Sequence, residues 1–325
     1  MTTTIIEVRP ASRAPEGAAL SGRPPAPPRM PRRPPPVARV RAPLTPRERI
    51  VRTALMIVAS LLLGFGANTL LFGHLQHVVA QQQLANEYRE QLAAGTAPVS
   101  EGNFEDVLLP DGVPVGLIEI PSLGVKEVIV EGSSSTVLKS GPGHRRDTVL
   151  PGQVGTSILM GRAAAYGGPF GRIQELAPGQ KFTILTGQGR QTFEVIGVRY
   201  AGDPTPPPPA AGMSRLILQT ARGADYVPEG VAYVDAELVG PGKDPGQRLT
   251  RLATLPPEDL ALAGDTSTVW ALVFALQFLL AIALAAVWAF ARVGAQKTWV
   301  VFAPATLLAG LFVANQVAIL LPNLM

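Results

Sequence analysis

At 325 residues the chain has room for one or two folded domains of the usual ~100–200 residues, and no more. It contains no cysteine, which excludes disulfides, thiolate metal sites, iron–sulfur ligation and a cysteine nucleophile. Its three histidines, His74, His77 and His144, are too few for a histidine-rich metal centre. Charged residues make up 16% of the chain, against about 25% in a typical soluble domain, and 47% are hydrophobic, which argues against a purely soluble protein.

Residues 1–52 carry eleven Arg against Glu7, Glu16 and Glu48. Within them, Pro24 to Pro36 is an almost unbroken Pro/Arg run, a composition that cannot build a core and predicts a disordered tail of polyproline II character. Residues 53–73 then give 21 positions without a charge, enough as a helix to cross the roughly 30 Å hydrocarbon layer. They sit too far from the start for a signal-peptide core and read as an uncleaved transmembrane anchor. Residues 74–114 read as a helical stalk, His74–Ala94, that holds the next domain off the membrane, followed by a linker with the acidic cluster Glu101, Glu105 and Asp106. His74 and His77 share a helix face, but no third ligand accompanies them, so they read as interfacial polar residues.

From 115 to 240 the pattern changes to short apolar runs rich in β-branched residues and punctuated by Gly and Pro. The predicted strands are 116–120, 125–130, 157–160, 181–186, 192–200, 214–219 and 231–239, with a helical turn over 169–176. This is the signature of a small closed β-barrel or sandwich. Residues 241–268 read as a second linker. Two further apolar runs, 269–290 and 298–321, are predicted transmembrane helices joined by the short loop 291–297 with Arg292 and Lys297. The positive-inside rule puts the Arg-rich tail and this loop in the cytoplasm and residues 74–268 outside. That explains the basic tail by topology, without nucleic acid. Asn315 and Gln316 lie inside the last run, where unpaired amides are unfavourable in lipid. They are expected to bond to Gln277 of the preceding helix or to a partner.

Several blocks of the β region, in order and spacing, resemble the sortase family, the cysteine transpeptidases of Gram-positive surfaces. The blocks are Gly116-Leu-Ile-Glu-Ile-Pro-Ser-Leu-Gly-Val125, Gly141-Pro-Gly-His144, Leu150-Pro-Gly-Gln-Val-Gly155, the stretch from Gly161 to Leu176, Leu216-Ile-Leu-Gln-Thr-Ala221, and Ala236-Glu-Leu-Val239. The details are most similar to class E-like enzymes. The resemblance implies a mainly β chain: a sortase-like closed β-barrel with a short helix, plus the three transmembrane helices read above. It also implies a Cys that attacks the Thr–Gly amide of a sorting signal, a His that handles the proton and an Arg that stabilises the oxyanion.

The residues depart from that chemistry. The His position is Arg162, the Cys position is Ala221, and the Arg position falls at Gly230 or Val231. A methyl is no nucleophile, and a guanidinium is no general base at neutral pH. His144 belongs to a segment that active members also carry, so it is not a replacement. Thr220 and Ser214 are the alternative nucleophiles, but neither has an adjacent base, and Thr220 should face away from position 221.

The sequence therefore points to a pseudoenzyme with no cofactor and no metal. Its candidate ligand groove comprises Arg162, Tyr166, Arg222 and Tyr226. Two guanidinium groups there would suit a carboxylate or phosphate, or the chain's own acidic segment Glu101–Asp106, unless they are ordinary solvated rim charges. The expected function is a non-catalytic binding or scaffold component of cell-surface protein or envelope assembly. Its expected partners are the plasma membrane and an active sortase or a surface protein. The alternative is a divergent transpeptidase or hydrolase with a substitute nucleophile, and a sensor signalling to the Pro-rich tail is a third reading.

Overall fold

The computed structural model describes residues 45–325 apart from Phe104, Asp106 and Gln247; some side chains of the first helix and that of Ala295 also fall outside the described residues. The expected Pro-rich tail therefore lies almost wholly outside them. Thr45 and Glu48 form a reciprocal cap: the Thr45 N–H donates to the Glu48 carboxylate (2.8 Å), and the Glu48 N–H donates to Thr45 Oγ1 (3.3 Å). Helix α1, Pro46–Ala67, starts there. It runs through a one-turn π-helix, Asn68–Phe72, into α2, Gly73–Ala94, which stops at Gly95 in the left-handed conformation (φ 68°).

Eight strands follow: β1 Pro114–Ile120, β2 Val125–Glu131, β3 Gly143–His144, β4 Gly155–Met160, β5 Lys181–Thr186, β6 Gly189–Tyr200, β7 Ser214–Ala224 and β8 Val227–Leu238. They close into a barrel in the order β1-β2-β3-β4-β7-β8-β6-β5, with β5 pairing back onto β1. All seven predicted strands are present, and β5 has the expected bounds. The two-residue β3 is too short to leave a periodic signal. The helical turn expected over 169–176 is a 3-10 turn, Ile173–Glu175.

Alternation sends one face of each strand inward. The core gathers Val115, Ile118 and Ile120 of β1, Leu159 of β4, Phe182 and Ile184 of β5, Phe193 and Val195 of β6, Leu216 and Leu218 of β7 and Val234 and Ala236 of β8, with Phe170 and Ile173 closing one end. Phe182 and Phe193, paired across β5 and β6, stack with centroids 5.8 Å apart.

Two expectations about the connections are corrected. Residues 73–94 do not stand the barrel off as a free stalk; α2 docks along β1 and β2. Gln81 accepts the Val128 N–H (2.6 Å) and donates to the carbonyls of Val128 (3.1 Å) and Ser140 (2.6 Å). The buried Tyr88 hydroxyl donates to the Leu185 carbonyl (3.2 Å), and His77 meets Glu127 (3.2 Å). Residues 241–268 are likewise no slack linker. They carry 3-10 turns at Leu252–Thr254, Pro257–Asp259 and Thr266–Thr268, and bond to the barrel loop after β2. Asp259 accepts the Ser133 N–H (3.1 Å), and Thr136 donates to Asp265 (3.1 Å).

Helices α3, Val269–Val293, and α4, Ala295–Leu320, pack against each other as a hairpin. Two helical stretches, Thr266–Val293 and Gln296–Leu320, are long and apolar enough to cross a membrane among the described residues, not the three expected. In the predicted first span, 53–73, several side chains fall outside the described residues, and the helix passes through the π-helical turn that buries Asn68 and Thr69. Along α3 and α4 large apolar side chains such as Trp270, Phe274, Val287 and Val300 are exposed, more contiguous apolar surface than water-facing helices carry.

A groove filled by residues 322–325

The strand ends β4, β7 and β8 converge on one side of the barrel. Strands β4 and β7 run parallel with Met160 opposite Gln219, and β7 pairs antiparallel with β8 so that Ala221 faces Val231 and Arg222 faces Gly230. The three positions that the sortase resemblance puts at the catalytic centre therefore sit together. Gly161 carries the chain out of β4; a Cβ there would come within 2.4 Å of the Phe170 ring, so only glycine fits.

Arg162 follows immediately and is 1% exposed. Its guanidinium donates to the Ser135 carbonyl (2.7 Å), to Ser135 Oγ (2.8 Å) and to the Met325 carbonyl (3.3 Å). It lies 5.1 Å from the centre of the Tyr166 ring. Burial depresses its pKa to about 10, with Tyr166 acting the other way, so it stays charged at neutral pH. Arg162 is thus no solvated rim charge. Arg222, by contrast, has an exposed side chain whose guanidinium sits 4.8 Å from the centre of the Tyr200 ring. Arg222 thus agrees with the rim-charge alternative, while Arg162 is buried and hydrogen-bonded.

The acidic segment does not close the groove either. Glu101 accepts the N–H groups of Leu249 and Thr250 (2.7 Å for the latter), far along the chain from Arg162 and its partners; Asp106 is outside the described residues. The closure comes from the turn after α4. The side chain of Leu324, fully buried, enters an apolar cluster made by Leu138, Ile158, Met160, Ile217, Ala221 and Val231. Its carbonyl accepts the Ala163 N–H (2.8 Å). Asn323, also fully buried, donates through Nδ2 to the carbonyls of Ser133 (2.9 Å), Leu260 (2.9 Å) and Glu258 (3.3 Å), and through its main-chain N–H to Ala263 (2.9 Å).

What remains open is a cavity of about 40 Å³ lined by Ala163, Ala221, Arg222, Tyr226 and Met325, room for a water or two and no peptide. A larger cavity of about 460 Å³ lies beside the groove, under Asp111, Thr136, Asp259 and Asp265. No group of side chains suited to a metal ion occurs among the described residues.

Tyr166 and Tyr226 pack together with Ala165 and Ala318 of α4. Tyr166 is buried, and its hydroxyl reaches Asn315 Oδ1 (3.5 Å). Asn315 also accepts from Lys139 Nζ (3.1 Å), so its partners belong to the barrel and not to Gln277. Burial lowers the Lys139 pKa to about 8, with the Arg162 charge adding to the shift. His144 is fully buried between Glu131 (2.9 Å) and the Val149 carbonyl (2.9 Å), a structural role away from Ala221. Thr220 and Ser214 are buried with hydroxyls that have no hydrogen-bond partner, so neither meets a base. The involvement of Ser135, Asn323 and Leu324 was not read from the sequence. An isolated Pro-Asn-Leu-Met after a membrane run carries no periodic or motif signal of its own.

Among known proteins, a sortase domain model matches residues 118–230. Sortase D of Bacillus subtilis (strain 168) is 32% identical over 85 residues, which are 26% of this chain and 41% of that protein, so the match spans less than half of the relative. Of solved structures, the sortase D5 transpeptidase of Clostridium perfringens aligns at 20% identity with a TM-score of 0.39, covering 51% of this chain and 99% of that one. Sortase E1 from Streptomyces coelicolor with a tripeptide in the active site aligns at 21% identity and a TM-score of 0.35, covering 40% and 91%. The matched segment runs from β1 into the start of β8, so it is the barrel of this chain that is similar to the sortase domain.

Proposed function

We propose that this chain is a membrane-held, non-catalytic sortase-family protein whose barrel binds or scaffolds in surface-protein or envelope assembly. The observation that carries the reading is chemical. The chain has no thiol at all, and around Ala221 stand a methyl, a buried guanidinium and the aliphatic Val231 where nucleophile, base and oxyanion donor would be needed. The buried, unpaired hydroxyls of Thr220 and Ser214 lack any base to activate them, which weighs against a substitute nucleophile.

The membrane part of the proposal has α1 leading out, α3 returning and α4 leading out again, with the barrel outside. It is supported by the Arg-rich start, by Arg292 and Lys297 in the α3–α4 loop and by the exposed apolar surface of α3 and α4. The ends of α1 and α4 that would emerge on the outer side both adjoin the barrel. Gly73 lies against Tyr166, and the turn after α4 enters the groove.

The test is turnover. The full chain in lipid nanodiscs is incubated with sorting-signal-like peptides and an amine acceptor and followed by mass spectrometry. No cleaved or transferred product is expected. Enzyme-dependent product that is lost in Thr220→Val or Ser214→Ala would overturn the reading in favour of a substitute nucleophile.

A further inference from the structure

The groove at the barrel end is already occupied, and by something peptide-like. Residues 322–325 lie in it with main-chain and side-chain contacts of the kind an extended ligand makes. The Ala163 N–H and the Arg162 guanidinium hold the carbonyls of Leu324 and Met325. The Asn323 amide is read by three carbonyls, and Leu324 fills an apolar pocket floored by Ala221 and Val231. The surroundings are strained in a concentrated way. Among the described residues, the non-glycine positions with positive φ are Tyr166 (53°), Tyr226 (62°) and Leu262 (62°). All three border this groove or its occupant. Such strain persists only where the surrounding contacts hold it.

We propose that Pro322–Met325 is a built-in competitive ligand: the groove is a peptide site that reads an Asn–Leu pair, and this segment occupies it in cis until it is withdrawn. The segment follows α4 without a spacer. Withdrawal therefore requires α4 to shift against the barrel and to break the Asn315 contacts with Lys139 and Tyr166. A second peptide of the same chemistry then takes the vacated groove. This deepens the non-catalytic reading and rests on it in one respect, that the displaced peptide is held and not cut.

The absence of cysteine makes the experiment direct. In the full chain in nanodiscs, Ala221→Cys supplies one thiol at the groove floor, and its rate of maleimide labelling reports occupancy. The rate should be slow, and Leu324→Asp should raise it by about tenfold or more, since protection tracks the population of the open state. An excess of the blocked peptide acetyl-Leu-Pro-Asn-Leu-Met-amide should restore protection, and a scrambled peptide should not.

Leu218→Cys, placed in the barrel core, should stay unreactive in the Leu324→Asp chain and thereby show that the barrel remains folded. If it reacts, Asn323→Ala replaces Leu324→Asp. If position 218 opens in both, the segment is part of the core and the proposal fails. It also fails if labelling at 221 is unchanged by Leu324→Asp, or if the peptide gives no protection. Cleavage of the added peptide by the Leu324→Asp chain that keeps Ala221, seen by mass spectrometry, would instead sink the non-catalytic reading while leaving cis occupancy standing.

Discussion

At Ala221 the chain presents a methyl group to the cluster formed by Leu324, Met160 and Val231, and Arg162 nearby donates through its two terminal nitrogens to Ser135 and Met325. These are packing and hydrogen-bonding contacts. The residue types that the resemblance aligns at 162, 221 and 230–231 were legible in the sequence. What was not legible is that Arg162 is buried, because burial depends on what covers it, and the cover comes from residues 163 positions further along.

Lys139, held beside Arg162 and Asn315, gives a pH test at this scale. Its folded pKa of about 8 lies below the ordinary lysine value, so the unfolded chain binds more protons between about pH 8 and 10.5. Stability should therefore rise across that window, on the order of 1–2 kcal/mol after allowing for partial exposure. Chemical unfolding of the full chain in detergent at pH 7 and pH 10 measures this, and Lys139→Met should flatten the difference. A fall in stability on going from pH 7 to 10 in the parent that is absent from Lys139→Met would contradict the assignment.

Among the elements, α2 departs furthest from its sequence reading. Its Gln- and Glu-rich composition suggests a solvated stalk, yet Gln81 and Tyr88 make buried hydrogen bonds to the barrel. A signal was present: His74, His77, Gln81 and Tyr88 fall at helical spacing on one face. It was masked because the face is polar and hydrophobic periodicity is blind to it. Gln81→Ala leaves the Val128 N–H and the Ser140 carbonyl without their partner and should cost about 1–3 kcal/mol. Hydrogen exchange across 73–94 should accelerate, while the core strands β6 and β7 keep their protection. If exchange in α2 is unchanged, the helix is not held by these bonds. The barrel strands other than the two-residue β3, by contrast, were legible. Alternating β-branched and aromatic residues set both the strand and its inward face, and Phe182→Ala at the stacked pair with Phe193 should cost about 3–5 kcal/mol in thermal or denaturant unfolding.

For the whole molecule, the apolar helices and the barrel are one connected structure, with α4 touching the π-helical turn and ending in the groove. That coupling was hidden from the sequence because it joins segments more than 150 residues apart, where no local pattern operates. The proposed topology has its own test in the cysteine-free background. A membrane-impermeant maleimide should label Thr205→Cys, in the exposed loop between β6 and β7, in intact cells. It should label Gln296→Cys, at the start of α4, only after permeabilisation. The reverse pattern would invert the orientation.

The packing of Leu324 against the strand ends is the contact on which the filled groove, the proposed non-catalytic role and the coupling to α4 all converge. The most direct measurement replaces Leu324 with its near-isosteric diazirine analogue in the full chain, in lipid, and maps the light-induced cross-links by mass spectrometry. Cross-links to peptides containing Leu138, Met160, Ala221 or Val231 are expected. Cross-links confined to lipid or to α3, with none to the barrel, would show that the segment lies outside the groove and would contradict its role there.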